Sequence, residues 1–278
     1  MIDPLLRKSL TDLRVQMVGW GLGVGGLLFL TVLLYPSISS AYGDVWEQFP
    51  KEWMAFFGAG SLNTLEGYLN MEFFSYAPLA LSVFAILAGT AALMGEEGQG
   101  TLDLLLAQPV GRARLALMKL LGLALANGVI VAIILALFWA AMLFTDAEVA
   151  AGRILMAFAL LWPFETAVAF ISVLLSLALS GRLFAGSLVA IILTASYILD
   201  SLANLISGLE PLRPLYPTAY YQGSRALVGD ISWGYTAGML GAMGVALALS
   251  ILLFQRRDIG VRAALPFPRL RKGKREAV

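Results

Sequence analysis

The sequence contains no cysteine and no histidine among its 278 residues. Without cysteine the chain can form no disulfide and has no thiol nucleophile. Without histidine it lacks the most frequent general base and the most frequent zinc ligand. These two absences exclude thiol enzymes, serine–histidine hydrolases and histidine-ligated metal centres, so we expect no metal site and no catalytic residue in this chain.

Charge is also scarce. Charged residues make up 13% of the sequence, hydrophobic residues make up 59%, and the mean hydropathy is +0.82. An ordinary soluble domain has about 25% charged and about 45–50% apolar residues. The composition therefore predicts an integral membrane protein that is surrounded by lipid and does not bind nucleic acid.

Six apolar runs are long enough to cross a bilayer, whose core of about 30 Å requires about twenty helical residues. They predict an all-α membrane protein with six transmembrane helices, forming one permease-like domain over residues 1–254. The third run is about 45 Å long as a helix and is expected to tilt or protrude. The predicted spans are residues 17–35, 73–94, 115–144, 154–179, 183–206 and 235–254.

Basic residues indicate the orientation, because loops on the cytoplasmic side carry an excess of lysine and arginine. With both termini inside, 15 of the 19 basic residues are cytoplasmic. The outer side keeps Lys51, Arg153, Arg213 and Arg225. We therefore expect a multi-pass protein of the inner (plasma) membrane of a bacterium, with both termini in the cytoplasm.

The segments outside the spans differ in character. Residues 1–15 carry leucines at helical spacing opposite charged side chains, which predicts an amphipathic interfacial helix rather than a cleaved signal peptide. Residues 36–72 form a long extracytoplasmic loop with acidic and aromatic residues, expected to hold short interfacial helices. Three prolines at 211, 214 and 217 predict an irregular or re-entrant outer loop. Residues 255–278 are a basic cytoplasmic tail.

Glycines recur at four-residue spacing in the first apolar run, as the pairs Gly19/Gly23 and Gly21/Gly25. Small residues at this spacing allow membrane helices to approach closely. The sixth run has a similar series at 234, 238, 241 and 244. Close helix packing is the expected role, and a dimer interface is only weakly indicated.

The stretch GEEGQGTLDLLLAQPVGRARL, residues 95–115, is a polar interruption between the second and third runs. Gly95 and Gly100 have the spacing of a phosphate-binding loop, but Thr101 stands where that loop needs lysine. The two glutamates inside it would repel phosphate, so this chain is not expected to bind a nucleotide. Thr101 instead suits a helix N-cap and Pro109 ends the helix, which predicts a short amphipathic helix. A simple surface connector is the alternative.

This stretch resembles the signature of ABC-2 type transporter permease subunits, in the residues Glu96-Glu97-x-x-Gly100-Thr101-Leu102-Asp103-Leu104-Leu105-Leu106-x-x-Pro109-Val110-x-Arg112. The resemblance implies that residues 95–114 form a coupling helix that docks on a separate ATPase subunit. Its contact region would comprise Glu96, Glu97, Gly100, Thr101, Leu102, Asp103, Leu105, Pro109 and Arg112.

The resemblance also implies the partners of the chain. A complete transporter would contain two ATPase subunits and a second permease chain, which could be a copy of this one or a paralogue. ATP and Mg²⁺ would bind to the ATPase subunits, and this chain would bind no cofactor. Export rather than import is implied in the same way, and the cargo is left open.

Two polar residues within the predicted spans are candidates for a substrate path. Glu165 lies in the fourth run, two residues after Pro163, and intramembrane carboxyls usually mark function. A hydrogen-bonded carboxyl that fixes neighbouring helices is an equally good explanation. Asn127 in the third run is the second candidate, although a structural hydrogen bond explains it better.

Three other functions stay open. An ATP-independent secondary transporter or channel ranks second, although it would ordinarily carry more intramembrane charge or broken helices in matching halves. An intramembrane aspartyl enzyme would need two facing acids, and the spans show one. A non-transporting subunit that recruits an ATPase would share the coupling helix and differ only in transport.

Overall fold

The computed structural model describes residues 3–46, 64–95, 111–179 and 181–257, and every regular element in these ranges is helical. Eight α-helices are numbered here in chain order, and a π-helical turn at Asn70–Phe74 joins α2 to the segment before α3. The helices are α1 Pro4–Trp46, α2 Leu65–Leu69, α3 Ala77–Ala92, α4 Arg112–Met142, α5 Ala151–Ala178, α6 Arg182–Ala203, α7 Gly223–Val228 and α8 Trp233–Arg256.

Six helical stretches in the described ranges are long and apolar enough to span a membrane, which confirms the predicted all-α six-span architecture. They follow the predicted runs in order, with shifts of one to thirteen residues at their ends. The stretches are Pro4–Ala41, Leu65–Ala92, Arg112–Met142, Ala151–Ala178, Arg182–Ala203 and Trp233–Arg256.

The first helix differs from the prediction at both ends. Asp3 caps it, since its Oδ1 accepts a hydrogen bond of 2.9 Å from the Leu5 amide, and Pro4 occupies the first turn as expected. Residues 4–15 are helical, but they continue directly into the first span rather than forming a separate interfacial helix. At the other end α1 passes through Pro36 to Trp46, so the segment assigned to the loop 36–72 begins as helix.

Pro36 does not end α1, because a proline removes only one backbone donor and membrane helices tolerate that loss where side chains rearrange locally. The hydroxyl of Ser39 donates to the Pro36 carbonyl at 3.2 Å, one turn further on. With 43 residues, α1 is about 65 Å long, well beyond the thickness of a bilayer core.

The fourth span, α5, lies at the centre of the bundle. In its most apolar window 72% of the residues are buried by other parts of the protein, against 22% in both α6 and α8. It packs against α3, α4, α6, α7 and α8. The helix that carries Glu165 is therefore enclosed by protein, while the fifth and sixth spans present most of their surface outward.

Glycines set the closest helix approaches. A Cβ atom built on Gly89 of α3 would lie 2.6 Å from the carbonyl oxygen of Ala169 in α5. On α1, Gly21 and Gly25 pack directly against α4, whereas a Cβ built on Gly19 or Gly23 would meet no atom within 4 Å. Among the described residues, the pair Gly21/Gly25 packs against another helix and the pair Gly19/Gly23 does not.

The contacts place both described chain ends at the same end of the bundle. Asp3 pairs with Arg114, and Arg257 contacts Leu177 and Met94, so these residues lie together at what we call the terminal end. The opposite end, called the loop end, joins the connections between spans. There the Glu66 carboxylate accepts a hydrogen bond of 2.8 Å from the Ala150 amide, and Arg153 reaches the Leu227 carbonyl.

The proline-rich loop after α6 is irregular, as predicted. It folds as two 3₁₀ segments, Ser207–Leu215 and Pro217–Tyr220. The second is fastened to α6 by the Ser196 hydroxyl, which lies 2.7 Å from the Thr218 hydroxyl and accepts the Thr218 amide at 2.9 Å. This loop covers the loop end of α6 and leads into α7 and α8.

Candidate functional site

The predicted ATPase contact falls largely outside the described residues. Glu96, Glu97, Gly100, Thr101, Leu102, Asp103, Leu105 and Pro109 all belong to the undescribed range 96–110. Arg112 is described, as the first residue of α4 after the N-cap Gly111. The candidate site at the terminal end is therefore defined by the residues on either side of this range.

Met94, before this range, and Arg112, after it, both contact Arg257, which follows the last residue of α8. The Arg112 guanidinium donates a hydrogen bond of 2.9 Å to the Arg257 carbonyl. The Arg257 guanidinium, through Nη1, lies 3.0 Å from the Met94 sulfur and donates to the Leu177 carbonyl at 3.2 Å. Residue 94 precedes the undescribed range and residue 112 follows it, so Arg257 contacts the chain on both sides of this range.

The Leu177 carbonyl is suited to an arginine partner. It belongs to the last turn of α5, where carbonyl groups have no backbone N–H partner within the helix. These carbonyl groups also form the negative end of the helix dipole. A basic side chain near a helix C-terminus satisfies such carbonyls and interacts favourably with the dipole. Arg257 thereby links the ends of α3, α5 and α8 to the start of α4.

A second arginine of α4 fixes the beginning of α1. Arg114 forms an ion pair with Asp3, with 2.7 Å between Nη2 and Oδ2. The hydrogen bond from Arg114, together with the bond from the Leu5 amide, lowers the pKa of the Asp3 carboxyl. The pair is exposed to water, so its contribution to stability is small, but it ties α1 to the helix that follows the polar interruption.

A cavity of about 410 Å³ opens at the terminal end between α1, α3, α4 and α6. Lys8, Lys119 and Arg182 supply three cationic side chains on its wall, and Asp12 supplies an acidic one. Gly95 also lines this cavity, directly before the two glutamates of the motif. Three of the basic residues assigned to the cytoplasmic side thus converge beside the polar interruption.

Glu165 is buried in the middle of α5, with 1% of its surface exposed. Its Oε2 accepts a hydrogen bond of 3.3 Å from the Ser82 hydroxyl of α3, while Oε1 has no hydrogen-bond partner among the described residues. The carboxyl is thus enclosed by protein and does not face lipid. One half of its hydrogen-bonding capacity is unused.

Tyr221, in the loop before α7, packs against Phe164, the residue of α5 that precedes Glu165. Its ring contacts that of Phe164 at 5.5 Å between centroids, and its buried hydroxyl has no hydrogen-bond partner among the described residues. Burial, and next the nearby Glu165 carboxyl, raise the pKa of Tyr221 well above its ordinary value. The hydroxyl occupies space that a Cβ on Gly223 would fill, since the two atoms would be 2.2 Å apart.

Tyr221 also lines a polar cavity of about 430 Å³ at the loop end. Arg213 forms an ion pair with Asp200 in its wall, at 3.0 Å, and also donates to the Asn204 side chain. Asp200 and Asn204 lie at the end of α6, and both are bound by Arg213 of the proline-rich loop. The cavity wall carries acidic and basic side chains in matched pairs, with Arg225 lying 3.7 Å from Asp230.

Asn127 is buried in α4 with 3% of its surface exposed, and its Nδ2 has no hydrogen-bond partner among the described residues. The structure therefore does not show the structural hydrogen bond that the sequence favoured for this side-chain nitrogen. Asn127 and Glu165 lie on neighbouring helices that pack together, since the Trp162 indole of α5 donates to the Ala124 carbonyl of α4 at 2.7 Å.

Sequence reasoning missed two functional candidates. Arg257 was placed in a basic tail, because a run of charged residues gives no signal of which one binds a helix end. Tyr221 lies in the proline-rich loop after the fifth span, which the sequence predicts only as irregular or re-entrant. The useful signal was its position two residues before a glycine, since the structure shows that Gly223 makes room for the ring.

The described residues contain no group of three or more acidic, cysteine or histidine side chains able to hold a metal ion.

The comparison with curated proteins gave no match. A family model described as ABC-2 family transporter protein matches residues 4–259, which covers all six spans and the motif between the second and third. Members of this family are permease subunits of ABC transporters and work with an ABC ATPase subunit. The chain therefore belongs to the ABC-2 transporter family, as a multi-pass membrane protein.

Proposed function

We propose that this chain is the permease subunit of an ATP-driven exporter and that residues 95–114 transmit the movement of a separate ATPase subunit to the spans. The observation that carries the proposal is the convergence of the two flanks of this segment, at Met94 and Arg112, on the terminal end of the bundle. A segment anchored on both sides is suited to pass a displacement to the helices that anchor it.

The terminal end is the cytoplasmic face in this proposal. Lys8, Lys119 and Arg182 surround the cavity there, and basic residues concentrate on the cytoplasmic side of membrane proteins. An ATPase docked on this face meets the motif directly. ATP and Mg²⁺ bind to that partner, two copies of which would serve two permease chains, either identical or paralogous.

The candidate path through the bundle runs past Glu165 and Asn127. Both are buried on adjacent central helices, and each has an unused hydrogen-bonding atom among the described residues. Unsatisfied polar atoms in a membrane interior are costly and are typical of functional positions. Tyr221 lines the polar cavity of the loop end and packs its ring on Phe164, the residue before Glu165; the loop end is the outer face in this proposal.

The test is purification of the tagged chain in mild detergent, with identification and quantification of any co-purifying ATPase. The variants Glu97→Lys and Asp103→Lys should lower ATPase recovery and the stimulation of its ATP hydrolysis, because they reverse charge in the motif. Glu148→Lys is the matched control, since Glu148 is an exposed acid between α4 and α5 at the loop end.

A stoichiometric ATPase that is lost in the two motif variants and kept in the control supports the proposal. A folded, monodisperse wild-type chain that recruits no ATPase contradicts it and favours an ion-driven transporter. Normal stimulation in both motif variants contradicts the coupling role of the segment, even if an ATPase is bound.

A further inference from the structure

We infer that Arg257 is a positioning residue that fastens Met94 and Arg112, the described residues on either side of the range 96–110, to the ends of α5 and α8, so that displacement of these two flanks is passed to the last span. This inference rests on the proposed function for its consequence in transport. Its structural part, the fastening itself, can be tested without the ATPase.

The first argument is the geometry of the contacts. Hydrogen bonds join Arg257 to residues outside α8, with the Met94 sulfur, the Leu177 carbonyl and the Arg112 guanidinium as partners. Residue 94 lies just before the segment and residue 112 just after it. Neither flank can move away from α8 without breaking a contact to Arg257.

The second argument is the nature of the bonds. Two of the three use a charged guanidinium and a backbone carbonyl, and charge-assisted hydrogen bonds are about twice as strong as neutral ones. The Leu177 carbonyl is at the negative end of the α5 dipole, which strengthens its attraction for the Arg257 cation. The contact of Arg257 with the Leu177 carbonyl is partly buried, so water screens it less than it screens the exposed Asp3–Arg114 pair, whereas the contact of Arg112 with the Arg257 carbonyl is exposed.

The third argument is the path from Arg257 into the bundle. Its backbone amide donates to the Leu253 carbonyl at 3.0 Å, which makes Arg257 the C-cap of α8. Force on its side chain or carbonyl is therefore applied to the end of a 24-residue helix. That helix packs against α4 and against α5, the helix that carries Glu165.

The neighbouring residue provides a matched control. Arg256 is the last residue of α8, is exposed, and has the same charge. Arg256→Gln removes one positive charge from the same place in the sequence but leaves the contacts of Arg257 in place. A difference between the two variants then reports the contacts rather than the net charge.

The experiment on the chain alone is hydrogen–deuterium exchange in detergent or nanodiscs. In Arg257→Gln we expect amide exchange around residues 90–95 to be about tenfold faster, because the guanidinium contacts to Met94 and Leu177 are lost and a lost charged hydrogen bond changes a local equilibrium by that order. The 111–116 flank is tested by Arg112→Gln, which removes the donor to the Arg257 backbone carbonyl and should raise exchange there by a similar factor. Arg256→Gln should exchange as the wild type does. Unchanged exchange at either flank in the variant that removes its contact overturns the inference, whether or not an ATPase binds.

The experiment on the complex measures ATPase recovery and permease-dependent stimulation separately. Arg257→Gln should keep recovery near the wild-type level and lower stimulation by about fivefold or more, as expected for a lost coupling interaction. Equal loss of recovery and stimulation would make Arg257 a docking residue and overturn the inference. If the wild type binds no ATPase, the proposed function fails while the exchange result still decides the fastening.

Met94→Leu serves if Arg257→Gln proves unstable, because it removes the sulfur acceptor at nearly constant volume. It leaves the bonds to Leu177 and Arg112 in place, so a smaller effect on the 90–95 flank is expected, with no change at 111–116. Wild-type exchange at residues 90–95 in this variant would overturn the proposed fastening of that flank.

Discussion

At the scale of single residues, the buried carboxyl of Glu165 is the least expected feature of this bundle. An ionisable side chain in a membrane interior is costly unless its polar atoms are satisfied. Ser82 supplies one hydrogen bond to Oε2, and the other oxygen has no partner among the described residues. The serine is therefore the main structural support of this carboxyl, and its removal reports how much the fold depends on it.

We predict that Ser82→Ala lowers the free energy of unfolding by about 1–2 kcal/mol, because it leaves the Glu165 carboxyl without its hydrogen-bond donor. The matched control is Ser172→Ala. The Ser172 hydroxyl is equally buried but bonds only to the Val168 carbonyl of its own helix. Unfolding in mixed micelles, followed by tryptophan fluorescence, measures both values.

A loss in Ser82→Ala well above that in Ser172→Ala supports a structural role for the Ser82–Glu165 contact. Equal losses would show that Glu165 does not depend on Ser82. Its burial would then be explained better by the substrate path than by helix packing.

At the scale of helices, packing is governed by where a glycine lets two backbones approach. The crossing of α3 and α5 at Gly89 is the tightest case, since a Cβ there would meet a backbone oxygen that cannot rotate away. Gly23 of α1 has the same chemistry and an open surface. Comparing alanine substitutions at Gly89 and Gly23 therefore separates the steric requirement for glycine from its general effect on helix stability.

We predict that Gly89→Ala lowers the free energy of unfolding by about 1–3 kcal/mol, because α3 and α5 must move apart to admit the methyl group. Gly23→Ala should be neutral or slightly stabilising, since alanine is favoured over glycine in helices by about 1 kcal/mol. The midpoint of thermal aggregation, measured on the purified chain, ranks the variants. A Gly89→Ala chain as stable as Gly23→Ala would contradict the close approach of α3 to α5.

At the scale of the whole molecule, the sequence predicted the number of spans and their order because apolar runs of about twenty residues have few alternative folds. It failed at α1, where hydropathy alone marked 17–35 as the span. Helix hydrogen bonding continues through the polar residues before it and through Pro36 after it. At the beginning of α1, the added turns are held by the Asp3 cap and by the ion pair of Asp3 with Arg114, which hydropathy does not encode.

The candidate site was predictable in part. The motif 96–112 is continuous in sequence, so its resemblance to a known signature was visible without a structure. The contacts of Arg257 with Leu177, Arg112 and Met94 join residues 80, 145 and 163 positions apart, and no local pattern encodes them. The same holds for Ser82 and Glu165, which are 83 positions apart.

The orientation of the bundle gives a further prediction at this scale. The chain has no cysteine, so a single introduced thiol is the only one present. Gly111→Cys at the terminal end should react with a membrane-impermeant maleimide only after the cytoplasmic face is opened. Ser207→Cys at the loop end should react in intact cells. Both positions are exposed, so the reverse pattern would overturn the orientation.

The central position of α5 has a consequence for biogenesis. Helices enter the membrane in the order in which the ribosome makes them, so α3 and α4 are already present when α5 arrives. The partners of α5 are therefore in place before it is made. They are the Ser82 hydroxyl of α3, which donates to α5, and the Ala124 carbonyl of α4, which accepts from α5. The α8 side is closed only when the last span has been synthesised. In a chain that stops before α8, the helix that carries Glu165 would therefore be incompletely covered by protein. Cellular quality control of membrane insertion would act on the protein at that stage.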